Sequence, residues 1–215
     1  ESADAAAAAF GVPKAFDNHR DLVTAPEVDL VVVTVKVPHH RELVMAALSA
    51  GKRVYCEWPL GNGLAEAEEM ARYAQERGIA TAIGLQARFA TVVRHVRDLV
   101  QGGELGDILS TSLIGSGFAW GPVIDQTNAY CGDVRNGATL LSIPFGHTVD
   151  ALCSCLGEFS HVTADIAQVR SEFTIVETGE VRPMTAPDQV LVSARLESGA
   201  AAAIHYRGGM ARGTN

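Results

Sequence analysis

The run Val28-Asp29-Leu30-Val31-Val32-Val33-Thr34-Val35 constrains the fold more than any other segment. It is β-branched and almost wholly apolar, which predicts a strand buried on both faces of a parallel sheet; an amphipathic helix would need polar positions on one side. The residues that follow repeat one pattern. Leu43, Ala46, Ala47 and Leu48 recur at helical spacing, Gly51 closes that helix, and Arg53-Val54-Tyr55-Cys56-Glu57 reads as the next strand. Residues 64–75 again read as a helix, Gly78 as its stop and residues 80–85 as a third strand. Strands alternating with helices predict right-handed βαβ units in a doubly wound, Rossmann-like parallel sheet. Upstream, residues 5–10 predict an Ala-rich helix stopped by Gly11, and residues 17–22 a short capped turn of helix. The opening residues read as the middle of a domain, so the natural protein is expected to extend before Glu1.

Beyond Arg88 the pattern changes. An amphipathic helix over residues 91–101 precedes segments with strand character at 108–115, 162–169, 189–196 and 200–206, the last two joined by the turn Glu197-Ser198-Gly199. One helix, over 147–156, interrupts them. The fold class expected is therefore α/β followed by α+β: a partial dinucleotide-binding domain over residues 1–90, then a domain over 91–215 with a large, mostly antiparallel open sheet.

Composition excludes several functions. A formal net charge of -8, with no run of Lys or Arg, is wrong for a polyphosphate backbone, so no nucleic-acid partner is expected. No apolar stretch is long enough to cross a bilayer and no signal-peptide order opens the chain, so a cytoplasmic protein without a membrane partner is expected. Of the four cysteines, Cys56, Cys131, Cys153 and Cys155, none forms a Cys-x-x-Cys pair, and buried reduced thiols are expected. His39 and His40 are adjacent rather than one helical turn apart, so no metal site, and no metal-dependent hydrolase, is expected.

In an open α/β sheet, ligands lie beyond the carboxyl ends of the strands. This directs attention to Val35, Lys36 and His40, to Glu57-Trp58-Pro59, and to Gln86 and Arg88. His40, at a helix start, is placed either to bond a cofactor ribose or pyrophosphate or to cap the first turn. Glu57 can accept hydrogen bonds from ribose hydroxyls; Trp58 can pack on a nicotinamide ring or equally plug a domain interface. The densest constellation is Gly137 to Asp150, where His147 follows Gly146 and Asp150 stands one turn on, able to orient the imidazole. On the residues alone, a lone histidine at a helix start is more often a cap or core residue than a catalyst.

These segments together resemble the Gfo/Idh/MocA family of NAD(P)-dependent oxidoreductases. His40 with Gly51-Lys52-Arg53-Val54 looks like the family's helix and following strand. Glu57-Trp58-Pro59 stands where its Glu-Lys-Pro occurs, and Gly146-His147 to Asp150 where its catalytic histidine segment occurs. Cys56 to Gly61, Leu85-Gln86-Ala87-Arg88 and Phe145 to Asp150 look most like its galactose-repressor-like branch. The resemblance implies NAD or NADP as cofactor, bound through Val35, Lys36, His40, Glu57, Trp58, Pro59 and Gln86. It implies His147 with Asp150 as the catalytic pair, and a sugar or polyol substrate held by Arg88, Trp120 and His147. It also implies a homo-oligomer, dimer or tetramer, paired through the open sheet.

Three departures stand out. No Gly-x-Gly-x-x-Gly loop is present in the sequence. Trp58 replaces the family lysine, and Ile143 replaces the family acid four residues before the histidine. The chain is also expected to stop within the second domain. Two functions follow: an oxidoreductase acting on a hydroxylated small molecule, ranked first, and a non-catalytic dinucleotide-binding transcriptional regulator.

Overall fold

The computed structural model describes residues 3–209, and the chain divides after Gly84 into two compact units. The first opens with α1 (Ala3–Phe10), where alanines favour helix and Gly11 at φ 66° ends it. In α2 (His19–Thr24) the Asn18 side chain caps the helix by accepting from the Arg20 amide at 2.8 Å. Then come β1 (Leu30–Val33), α3 (His40–Ser49), β2 (Arg53–Glu57), α4 (Leu64–Glu76) and β3 (Thr81–Gly84). The three strands pair in the order β1-β2-β3, all parallel, as the strand-helix alternation predicts.

The core of this unit packs Val31 and Val33 of β1 and Val54 and Cys56 of β2 against Val44, Ala47 and Leu48 of α3 and Met70 and Ala74 of α4. Burying each large side chain here contributes roughly 1.5–3 kcal/mol. One expectation fails: β1 is not buried on both faces. Val31 and Val33 are buried, whereas Leu30 and Val32 are 50% and 56% exposed. Side chains alternate across a strand, and among the described residues helices cover only one face of β1.

In the second unit, α5 (Thr91–Gln101) leads to β4 (Ser110–Gly117) and β5 (Val123–Ile124), and then α6 (Gly146–Leu156) precedes β6 (Phe159–Ala167), β7 (Glu172–Ile175), β8 (Val181–Pro183), β9 (Gln189–Leu196) and β10 (Ala201–Gly208). The main sheet runs β4-β10-β9-β6. Its β10-β9 and β9-β6 pairs are antiparallel, while β4 and β10, far apart in sequence, pair in parallel. The sheet is thus mixed, and a second, three-stranded sheet, β5-β7-β8, accompanies it.

The inner face of the main sheet buries Val190, Leu196, Ala202, Ile204 and Tyr206. The opposite face presents Ile114, Leu191 and Ala203 among Ser112, Thr163, Ser193, Asp165 and His205, in a shallow depression. Close backbone approach fixes the end of β10. A Cβ on Gly208 would lie 2.0 Å from the Trp120 carbonyl oxygen and 3.1 Å from the Asp188 Cβ. Gly208→Ala is therefore expected to destabilise this unit by about 2–3 kcal/mol, the scale of overpacking against a backbone that cannot retreat. The shift of its denaturant midpoint measures this; an unchanged midpoint would mean that β10 can part from Trp120.

Candidate functional site

The carboxyl ends of β1 and β2 gather the first group of candidates. After Val33 the chain turns outward, leaving Thr34, Val35 and Lys36 exposed before a short 3-10 turn, Val37–His39. After β2 come Glu57, whose side chain is 42% exposed, the half-buried Trp58 and the buried Pro59, joined by a cis Trp58-Pro59 peptide. The sequence suggests a rigid turn there; the cis bond is beyond what the residues alone reveal.

His40 takes neither of its two expected roles. Its ring is fully enclosed, with Nδ1 2.8 Å from the Pro59 carbonyl oxygen and Nε2 2.8 Å from the Val35 carbonyl oxygen. It makes no side-chain cap, and burial keeps it from direct contact with a ligand. Val35 and Pro59, both read as cofactor residues, here lend their carbonyls to this histidine. Cys56 lies beside it, Sγ 3.6 Å from Nδ1, and burial with the neighbouring Glu57 charge pushes its thiol up to about 12. That thiol stays protonated and unreactive at neutral pH.

In the second unit the segment before α6 carries His147. Leu141–Phe145 winds as a π-helix, and Pro144 explains why. Proline has no N–H to offer the Leu140 carbonyl, so the next residue supplies it: the Phe145 amide donates to Leu140 O at 3.1 Å, spanning five residues instead of four. Ser142 steadies the start, its hydroxyl donating to Gly137 O at 2.6 Å and accepting from the Thr139 amide at 2.8 Å. Downstream, the Thr148 hydroxyl bonds Pro144 O at 2.8 Å and lies 3.3 Å from the Tyr206 hydroxyl. The Tyr206 ring stands edge-on to Phe145, centroids 5.9 Å apart. His147 therefore sits in the first turn of a helix fastened to β10. Neither the π turn nor the part played by Thr148 and Tyr206 was among the expected features; a proline two residues before a helix-start glycine is the signal that could have suggested the first.

Asp150 does not serve His147 as expected. Arg88 grips its carboxylate with two hydrogen bonds, Nε to Oδ2 at 2.9 Å and Nη2 to Oδ1. The Asp150 side chain is 10% exposed, and the ion pair raises the Arg88 guanidinium further above its ordinary range. Two of the donors assigned to a substrate are thus spent on α6, and Arg88 braces the helix that bears His147. Trp120 is a clearer correction. It is 4% exposed, and its indole N–H donates to Ala138 O at 3.2 Å, so it is a core residue with its polar atom satisfied and no face for a substrate. Gln86 is exposed, in the 3-10 turn Gln86–Phe89.

Among the described residues, no cluster of three His, Cys, Asp or Glu side chains could hold a metal, and no helix is long and apolar enough to cross a membrane. The exposed residues after β1 and the partly exposed Glu57 carboxylate stand at the carboxyl ends of parallel strands, where open α/β sheets take their ligands. A glycine-rich cradle for the phosphates of a dinucleotide is not among the 215 residues.

Comparison with known proteins agrees with this geometry. Residues 1–85 match the model of the oxidoreductase family with an NAD-binding Rossmann fold, and residues 91–215 match that of the Gal80p C-terminal domain. Dehydrogenase aclE of Aspergillus oryzae is 39% identical over 181 residues, covering 83% of this chain and 49% of that protein. The galactose/lactose metabolism regulatory protein GAL80 of Kluyveromyces lactis is 32% identical over 200 residues, covering 86% and 43%. A crystal structure of a super-repressor mutant of Gal80p from Saccharomyces cerevisiae superimposes with a TM-score of 0.90 at 27% identity, over 97% of this chain and 57% of that one. The chain spans about half the length of the curated relatives it matches.

Proposed function

From the chain's membership of the Gfo/Idh/MocA oxidoreductase family, in its galactose-repressor-like branch, we propose that it is part of an NAD(P)-dependent oxidoreductase acting on a sugar, polyol or related hydroxylated small molecule. The observation that carries the reading is His147, presented in the first turn of α6 by the π turn at Pro144 and braced through Thr148, Tyr206 and the Arg88–Asp150 pair. A nicotinamide, when bound, supplies the chemistry of hydride exchange at a carbinol carbon. His147 takes the hydroxyl proton as that carbon is oxidised and returns it in the reverse direction. Glu57 accepts from ribose hydroxyls, and Val35, Lys36 and Trp58, from the same strand ends, are proposed to contact the cofactor, as is Gln86 of the second unit.

Nicotinamide absorbance of the intact protein, with either dinucleotide and a panel of sugars, polyols and sugar acids, tests this reading. A second reading is kept because two side chains favour it. Trp58 and Ile143 stand where the family has proton-handling groups, which is what a retired active site would show. In that case the fold senses a dinucleotide and engages a protein, and two GAL80 relatives are named as regulators.

The open face of the main sheet is the surface proposed for pairing of like chains. Ile114, on the edge strand β4, is 77% exposed on this face. Ile114→Glu is expected to shift the intact protein towards smaller species in light scattering, since two carboxylates would then be pressed into one apolar contact. An unchanged mass would place self-association elsewhere.

A further inference from the structure

Glycine weakens a strand interior, where it has no side chain to pack, and its presence there often marks the close approach of another group. At the end of β4, Gly115 and Gly117 stand two residues apart and so share one face of the sheet. That face is the inner one, because Gly115 pairs with the buried Tyr206 of β10. Neither glycine takes a left-handed backbone; Gly117 is extended at φ -117°. Conformational freedom therefore does not explain them, whereas space does.

A Cβ on Gly115 would overlap the Tyr206 ring. A Cβ on Gly117 would lie 2.9 Å from Pro144 Cγ, 3.0 Å from Leu140 Cδ1 and 2.8 Å from Trp120 Cε3. Two of the groups seated on this bare strand are thus the ones that carry the His147 helix. Pro144 of the π turn rests on Gly117, and Tyr206 lies over Gly115 with its ring edge-on to Phe145. Their polar atoms are joined as well. Thr148 has one hydroxyl proton, and the Pro144 carbonyl, which can only accept, takes it at 2.8 Å. At 3.3 Å the Tyr206 hydroxyl then donates to Thr148 Oγ1, so one chain of bonds runs from β10 to the π turn.

We infer that the glycine end of β4, together with the Tyr206 hydroxyl, positions His147: the height at which the π turn and the Tyr206 ring settle on the strand sets where the imidazole stands. Gly115, Gly117 and Tyr206 are positioning residues, acting through Pro144 and Thr148. The effect on turnover rests on the function proposed above; the placement of the ring does not.

Gly117→Ala in the intact protein is the lead variant, because its methyl meets side chains rather than backbone. Two readouts are taken. The first is the ring C–H signals of His147 in proton–carbon spectra, identified by their absence in His147→Ala. They are expected to move, while those of His19 and His39 in the first unit stay in place. The second is steady-state kinetics, in which kcat is expected to fall about 10–100-fold, with KM and dinucleotide affinity within about two-fold. Unmoved His147 signals in the folded variant, or moved signals with unchanged kcat, would overturn the inference. A loss carried mainly by KM would also overturn it. If Gly117→Ala does not fold, Tyr206→Phe carries the test, since it keeps the ring on Gly115 and removes only the hydroxyl. The same movement and the same split are expected of it, and their absence would again contradict the inference. No turnover by the unaltered protein would instead defeat the proposed function, leaving the His147 signals to decide the positioning.

Discussion

Replacing His147 with Ala is expected to lower turnover by about 10²–10⁴-fold, the usual contribution of a positioned general base, while dinucleotide affinity stays within about two-fold. The separation follows from structure. His147 lies on α6 in the second unit, whereas the residues proposed to hold the cofactor ribose lie at the ends of β1 and β2 in the first. α6 is held by Arg88–Asp150, Thr148 and the Phe145–Tyr206 contact, so the variant is expected to keep this helix and to unfold cooperatively. His147→Gln should be no better, because an amide cannot carry the proton. Equal losses of binding and turnover would show that His147 grips a ligand rather than moving a proton.

The second large effect is one of stability. Asp188→Ala is expected to cost the second unit about 3–5 kcal/mol. The carboxylate is wholly buried; one oxygen accepts from the Val169 amide at 2.6 Å and the other from Arg170 Nη1 at 2.6 Å. Its backbone joins the same knot, accepting from the Gly208 amide at 2.7 Å and donating to Ala167 O at 3.0 Å. Truncation would orphan a backbone N–H and leave the Arg170 head group without its buried partner. Arg170 is 36% exposed, and water reaching it places the expected loss towards the lower figure. Asp188→Asn keeps one acceptor and should lose less. Midpoints of chemical unfolding measure both, and a loss under about 1 kcal/mol for Asp188→Ala would mean that the pair behaves like an exposed one.

The regular elements were legible in the sequence where periodicity was sustained. Residues 91–101 and 189–196 form a helix and a strand at the bounds that their patterns suggest. Strand pairing was not legible: nothing local to residues 110–117 and 201–208 says that they lie side by side in parallel. Strands as short as Val123–Ile124 carry too few alternations to register. The exposed face of β1 escaped for a related reason, since an apolar run shows what a strand tolerates and not what covers it.

Candidate side chains were found more readily than their partners. Asp150 at one turn from His147 suggested a pair by spacing, yet its carboxylate is taken by Arg88, 62 residues away. His40 was singled out for its place after a strand, but its bonds to Val35 and Pro59 depend on how two loops fold back on it. Trp120 was read from its residue type, and only the fold reveals Ala138 O waiting for its N–H. Local spacing reports neighbours along the chain, whereas charge pairing and burial are decided across it.

The activity proposed for the intact protein is hydride exchange with a hydroxylated small molecule. Its most direct test is nicotinamide absorbance of the intact protein, with NAD and NADP in separate arms and the panel of sugars, polyols and sugar acids in each, alongside calorimetric titration of both dinucleotides. Dinucleotide binding and a steady absorbance change with at least one panel member, lost in His147→Ala, are expected. Binding of a dinucleotide with no change across the whole panel would contradict the proposed activity and favour the regulator.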